Sequence, residues 1–161
     1  MGHLHVKGAS VVDRYFLSDE SALDEDGYFD TGDLATIDGQ GNLTICGRSK
    51  DLIKSGGEWI NPAEIEAIVG SNPTVSLVAV IPTPDDKWGE RPLLVVQPRA
   101  GEDIDVEGLI RSLRGRIADW WIPDRIARID SMPLAGSGKI DKNRLRADLE
   151  AGRILADEIE R

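Results

Sequence analysis

"GRSKDLIKSGGEWINPAEIE", Gly47 to Glu66, is where the chain changes character. Before it, short alternating runs separated by turns read as antiparallel strands; after it, strands and helices alternate. Between Arg48 and Lys54 it packs three cations and one aspartate, followed by Gly56-Gly57, an acid and Trp59. Adjacent glycines are costly inside a regular element and useful where the backbone turns sharply or lets a ligand come close. A solvated strand end accounts for the charges equally well, and Trp59 either stacks on a planar ligand or plugs the core. The helix that follows, "NPAEIEAIVG", is well signposted. Asn61 suits an N-cap, Pro62 the first helical position and Glu64 the capping-box site; Ile65, Ile68 and Val69 share a face, and Gly70 ends the run.

Downstream, "VSLVAVIP" and "PLLVVQP" are apolar runs suited to buried, paired strands, joined by the polar loop "TPDDKWGER". Val106, Leu109, Ile110, Leu113 and Ile117 stand at helical spacing, which predicts a helix from Val106 to Ala118 capped by Asp105. "WWIP" breaks it, "DRIARID" returns as a strand, and a last helix runs from about Asp141 to Glu150. The pattern predicts an α/β (α+β) unit in which a three-stranded sheet carries three helices. Upstream, "GHLHVKG" and "GNLTICG" read as strands, and the acidic "LSDESALDEDGYFDTGD" as a surface loop. Residues 1–47 bury too little to stand as a domain and look like the edge of something larger.

The 161 residues carry a net charge of −10, which argues against non-specific DNA binding. Anionic small molecules are not excluded, because Arg48 to Lys54 and Lys139 to Arg146 are locally basic although Asp19 to Asp38 holds eight carboxylates and no Lys or Arg. No apolar run approaches the roughly 18 residues of a membrane span. The start, "MGHLHVKGAS", resembles neither a signal nor a transit peptide, so the expectation is a cytoplasmic protein. The single cysteine, Cys46 in "LTICG", reads as a small strand hydrophobe.

Two more stretches could do chemistry. "PLAGSGKIDK", Pro133 to Lys142, has the Gly-Ser-Gly-Lys look of a nucleotide-binding loop. A P-loop needs glycine where Pro133 stands and Ser or Thr where Ile140 stands, so what remains is Lys139 on a glycine-rich loop ahead of a helix. A solvated turn lysine is the plainer reading. In "GYFDTGD", Asp33 could accept hydrogen bonds from a ribose diol, or simply cap a turn.

In order and spacing, "YFDTGD", "GRSKDLIKSGGEWINPAEIE", "DDKWGERP" and "PLAGSGKIDK" together resemble the C-terminal third of the adenylate-forming (AMP-binding) enzyme superfamily. "KSGGEWI" with "WWIPD" most resembles the fatty-acyl and medium-chain acyl-CoA ligase branch. The resemblance implies that residues 1–47 are the last strands of a large AMP-binding domain. Residues 48–161 would be a small C-terminal lid, with the sheet and helices above plus a β-hairpin.

The implied chemistry is a two-step ligation. A carboxylate attacks the α-phosphate of Mg-ATP to give an acyl-adenylate and pyrophosphate; the lid then rotates and CoA displaces AMP. By resemblance, Asp33 binds the ribose hydroxyls, Arg48 assists it and Ile45 lies near the nucleotide. Lys139 bridges carboxylate and phosphate in the first transition state, where donors must meet developing charge. Lys50, or its neighbour Asp51, is the hinge. Lys54 serves the thioester-forming step, Gly56, Gly57 and Glu58 line the pantetheine tunnel, and Trp59 flanks it; Trp88 is ligand contact or scaffold. No metal ligand is expected here, since the Mg2+ site, phosphate loop, adenine pocket and acyl tunnel all precede this part of the family pattern. The chain is therefore expected to be a piece of a longer enzyme, inactive alone.

Two positions depart from the pattern: Ala135 where Thr is usual, and Asp119 where Lys often precedes the tryptophan pair. Other readings are an adenylation domain that loads a carrier protein and a free-standing lid or regulatory module. A lysine acetyltransferase acting on Lys139 would add regulation to either.

Overall fold

The computed structural model describes residues 1–159. Its contacts divide the chain into two units, Met1–Asp51 and the remainder from Leu52. The division falls after Asp51 rather than after residue 47. Arg48 still belongs to a strand of the first unit, and the Ser49 hydroxyl donates to the Gly32 carbonyl at 3.1 Å.

In the first unit, strands β1 (Gly2–Val6), β2 (Phe29–Ile37) and β3 (Leu43–Arg48) form an antiparallel sheet in that order. The acidic connection gives way to strand at Phe29, earlier than the polar sequence suggested, because the Thr31 hydroxyl donates to the Leu4 carbonyl at 2.9 Å and ties the segment to β1. Asp30 pairs with His5 and Leu34 with His3, so Thr31-Gly32-Asp33 bulges opposite Leu4. Bulges of this kind bend a strand and re-aim its side chains.

The β2–β3 turn is built by Asp38. Its carboxylate accepts from the Gln40 and Asn42 amides at 2.8 and 2.9 Å, the Asp38 carbonyl accepts from Gly41 N, and Gly41 takes a left-handed φ of 86°. This is a five-residue hairpin closed by a glycine bulge.

The second unit begins with the short hairpin β4 (Ile53–Ser55) and β5 (Glu58–Ile60), followed by α1 (Pro62–Gly70), with Asn61 Oδ1 accepting from the Ala63 amide as the cap. Strands β6 (Val75–Asp85) and β7 (Gly89–Pro98) form a long antiparallel hairpin; α2 (Val106–Leu113) then crosses over to β8 (Arg125–Arg128), which lies parallel to β7. A parallel neighbour needs such a crossover. Helix α3 (Lys142–Glu150) and the two-residue strand β9 (Asp157–Glu158) on the outer edge of β8 complete it. The sheet is thus built on β6, β7 and β8, with the β4–β5 hairpin joined to β7 at the single bridge Ser55–Gly89.

Two differences from the sequence reading have local causes. Strands β6 and β7 extend through most of the expected loop, leaving Asp86 to Trp88 as the turn, because Thr83 is buried with its hydroxyl on the Arg91 carbonyl at 3.1 Å and Arg91 is itself buried. Helix α2 stops at Leu113 rather than Ala118, since Arg114 is extended and Gly115 turns left-handed at φ 72°.

The β6–β7–β8 sheet is covered on both faces. Alternation sends Val80, Leu94, Val96 and Ile126 to the side where Ile65 and Val69 of α1 and Leu109 and Leu113 of α2 pack. Ala79, Ile81, Leu93, Val95 and Ala127 face the other side, with Met132 and Leu145 of α3. Each fully buried Leu or Ile here contributes about 1.5–3 kcal/mol relative to exposure. Among the described residues no helix is long and apolar enough to cross a membrane.

Candidate functional site

Within the first unit the β2 bulge presents Asp33. The Asp33 amide donates to the Thr31 hydroxyl at 3.1 Å and the Gly32 amide to Asp30 Oδ1 at 2.8 Å, while Gly32 is left-handed at φ 70°, so the Thr-Gly-Asp turn is closed by its own side chains. Arg48, paired across the sheet, forms a salt bridge with Asp33, its Nε 3.0 Å from Oδ1. With Arg48 half exposed, this pair adds little to stability, about 0–1 kcal/mol. Its consequence is chemical: a carboxylate oriented by a guanidinium and still open to hydroxyl donors. Ile45 stands on the same sheet, paired with Ala35 and 60% exposed, an apolar surface at a site otherwise polar. Lys50 and Asp51 form a single 3-10 turn, Ser49–Asp51, immediately before the division between the units.

In the second unit the glycine pair is the turn of the β4–β5 hairpin. Gly56 and Gly57 have φ of 60° and 91°, the two left-handed positions that a two-residue hairpin turn demands. They are not equivalent. A Cβ on Gly56 would lie 2.7 Å from Trp88 Cε3, whereas one on Gly57 would meet open space. The Gly56 amide also donates to the Trp88 carbonyl at 2.8 Å, so Trp88 is packed directly against the turn.

The hairpin divides the expected residues between its two faces, because a strand alternates. Lys54 lies opposite Trp59, its ammonium 5.7 Å from the ring centroid, both exposed. The Lys54 amide donates to Glu90 Oε2 at 3.0 Å, fixing the strand beneath it. Ser55 and Glu58 pair on the other face, where a cleft of about 350 Å³ opens between the turn, Trp88 and Trp120.

Arg91 and Asp124, in the wall of that cleft, are what sequence reasoning missed. Arg91 Nε donates to Asp124 Oδ2 at 2.6 Å, Nη1 to the Ser55 hydroxyl at 3.3 Å and the Trp120 carbonyl at 2.6 Å, and Nη2 to the Ile122 carbonyl at 2.9 Å. Burial lowers the guanidinium pKa, and Asp85 partly opposes that shift. The group stays charged, since arginine does not lose its proton in proteins. Through these bonds Arg91 joins β4, β7 and the 3-10 turn Asp119–Trp121 that carries Trp120. The available signal was an arginine leading the apolar run "RPLLVV", since a charge entering a core strand must be paired.

Lys139 sits at the end of a second five-residue hairpin. The Ala135 amide donates to the Lys139 carbonyl and the Gly138 amide to the Ala135 carbonyl, both at 2.8 Å, with Gly138 left-handed at φ 80°. This repeats the backbone pattern of Asp38 to Asn42. The Asp141 amide donates to the Pro133 carbonyl at 2.8 Å and closes the neck. A phosphate cradle needs convergent free amides; here the Ala135 and Gly138 amides are used inside the loop, and Lys139 is exposed with the rest of it.

Residues 64–139 match the family model described as the AMP-binding enzyme C-terminal domain. The chain belongs to the AMP-binding enzyme superfamily. This AMP-binding segment is 45% identical over 149 residues to a 3-methylmercaptopropionyl-CoA ligase of Ruegeria lacuscaerulensis, covering 92% of the chain and 28% of that protein. It is 43% identical to a medium-chain-fatty-acid–CoA ligase of Ectopseudomonas oleovorans, over 90% of the chain and 27% of the relative. The o-succinylbenzoate CoA synthetase MenE of Bacillus subtilis, solved with its acyl-adenylate intermediate, superposes with a TM-score of 0.82 at 33% identity, over 90% of this chain and 30% of that one. The chain thus spans under a third of the length of these relatives.

Proposed function

We propose that this chain is the C-terminal part of an ATP-dependent acyl-CoA ligase, which joins a carboxylic acid to CoA through an acyl-adenylate and releases AMP and pyrophosphate. The observation that carries the reading is the Lys139 hairpin. The Ala135 and Gly138 amides are bonded inside the loop and the lysine is exposed, which suits the loop to bringing one positive charge to a phosphate held elsewhere rather than to cradling one. The CoA-ligase names of the relatives support CoA as the acceptor.

In the first half-reaction a carboxylate oxygen bonds to the α-phosphorus as pyrophosphate leaves. Lys139 neutralises the charge gathering on the attacking and phosphoryl oxygens, and Asp33, oriented by Arg48, accepts hydrogen bonds from the ribose hydroxyls while Ile45 covers apolar surface beside the nucleotide. Magnesium neutralises phosphate charge when it accompanies ATP. Among the described residues no three His, Cys, Asp or Glu side chains gather as a metal site, and we assign it no ligand in this chain.

In the second, the CoA sulfur bonds to the acyl carbon and AMP leaves. The backbone change between the two states is assigned to Lys50 and Asp51, because the short turn there is the last element before the units divide. Lys54, braced on Trp59, is then the cation available for the thioester step. Gly57, open on its surface, lets the thin pantetheine pass. The Trp88–Trp120 cleft beside Gly56 and Glu58 has room and indole faces for a planar ring of the same ligand.

The test is Lys139→Ala in the enzyme that contains this segment. Pyrophosphate exchange should be lost, with thioester formation from preformed acyl-adenylate retained. Equal loss of both half-reactions would contradict the assignment.

A further inference from the structure

Lys142 stands three residues beyond Lys139, yet the structure treats the two lysines oppositely. Lys139 is exposed, whereas the Lys142 ammonium lies 2.7 Å from Glu66 Oε1, with side chains only 18% and 22% exposed. Glu66 is on α1 and Lys142 opens α3, two helices that cover opposite faces of the same sheet. Their ion pair therefore passes around the edge of the sheet. That edge is β6, which pairs with β7 on one side only among the described strands. The Val80 amide, pointing away from β7, donates to the same Glu66 oxygen at 2.7 Å. One carboxylate thus satisfies an edge N–H and holds the cation from the far side, a device that also blocks strand addition at this point.

The clasp bears on the lid lysine through the neck of its hairpin. Asp141, the N-cap of α3, accepts from the Arg144 amide at 2.9 Å and donates its own amide to the Pro133 carbonyl at 2.8 Å. The preceding residue, buried Met132, is fixed by its amide on Gln97 Oε1 at 2.7 Å. The hairpin from Pro133 to Asp141 is therefore pinned at its start to β7 and at its end, through Lys142, to α1 and β6. Helix α3 itself contributes one fully buried side chain, Leu145, with Ile140 and Leu149 packed beside it, and Lys142 adds an ion pair to this apolar anchor at the start of the helix.

We propose that Glu66 and Lys142 are positioning residues for the adenylation half-reaction, fixing the first turn of α3 so that Lys139 is delivered in register. This rests on the role given to Lys139 above. It predicts a division of labour between neighbouring lysines: Lys139 reaches, and Lys142 holds.

The experiment uses Lys142→Met, Lys142→Arg and the milder Glu66→Gln, which keeps an acceptor for Val80. In the enzyme containing this segment, Lys142→Met should lower kcat for pyrophosphate exchange by about 10²-fold, the scale of a 1 Å misplacement of a reacting group. KM for ATP, and thioester formation from preformed acyl-adenylate, should stay within about twofold. Glu66→Gln should lose less, and Lys142→Arg should restore most of the rate.

In the 161-residue chain, amide exchange at Ala135, Gly138 and Asp141 should quicken about tenfold in Lys142→Met, with Ile126 and Ala127 of β8 unchanged. Equal loss of both half-reactions, a loss confined to KM, or unchanged exchange at the three hairpin amides would overturn the proposal. Were Lys139→Ala itself to leave adenylation intact, the role of Lys139 would fall, and the amide exchange would still decide whether the clasp holds the hairpin.

Discussion

Replacing Arg91 by Met keeps an apolar stem in the wall of the aromatic cleft and removes the guanidinium. Four bonds go with it: those to Asp124, Ser55, and the Trp120 and Ile122 carbonyls. Removing one partner of a fully buried pair costs about 3–5 kcal/mol. Asp124 keeps 31% of its side chain in water against 9% for Arg91, which softens the penalty on its carboxylate and points to the lower end, about 3 kcal/mol. For a unit of this size that is a fall of roughly 10 °C in Tm.

Urea unfolding followed by tryptophan fluorescence suits the question, because Trp88 and Trp120 line the cleft that Arg91 braces. Arg91→Lys should lie between Met and the native residue, since an ammonium lacks the planar fork that spans three elements. The double change Arg91→Met with Asp124→Asn should recover part of the loss, by removing a part-buried carboxylate that has lost its Arg91 ion pair. A change below about 1 kcal/mol in Arg91→Met would refute the claim that this network holds β4 to the Trp120 turn.

The two turn glycines should respond differently. Gly56→Ala combines left-handed strain with a 2.7 Å approach to Trp88 and should cost about 2 kcal/mol, whereas Gly57→Ala carries the strain alone and should cost about 1 kcal/mol; equal losses in thermal melts would count against the packing argument. Asp33→Asn should raise KM for ATP by about 10–100-fold, the value of charge-assisted bonds to two hydroxyls, with little change in melting temperature. The Arg153 hydrogen bond, assisted by Arg144, holds the Asp148 pKa below the ordinary 3.8. Stability from this group is therefore present above pH 3.8 and is lost as the pH falls through the lower folded value; a carboxyl titration by NMR with its midpoint at or above 3.8 would contradict this.

Much of this was legible in the residues. The cap at Asn61, the helix start at Asp141 and the turns at Gly41, Gly56, Gly57 and Gly138 are written in local chemistry, because each needs only a few neighbouring residues to favour one backbone conformation. The failed P-loop pattern left Lys139 on a glycine-rich loop ahead of a helix, and the structure forms that loop as a hairpin closed by the Ala135 and Gly138 amides. Helix α2 was misjudged at its end because apolar periodicity continued past a glycine that breaks it.

What the sequence by itself determined was the order of elements and the motifs that carry chemistry. Those depend on turn geometry and apolar periodicity, which act over a handful of residues. Only the tertiary structure decided that Lys54 and Glu58 face opposite ways, that Arg91 is sealed among carbonyls and Asp124 33 residues away, and that Lys142 is spent on Glu66. A charged side chain carries no mark of its partner until folding removes the water that would otherwise serve it.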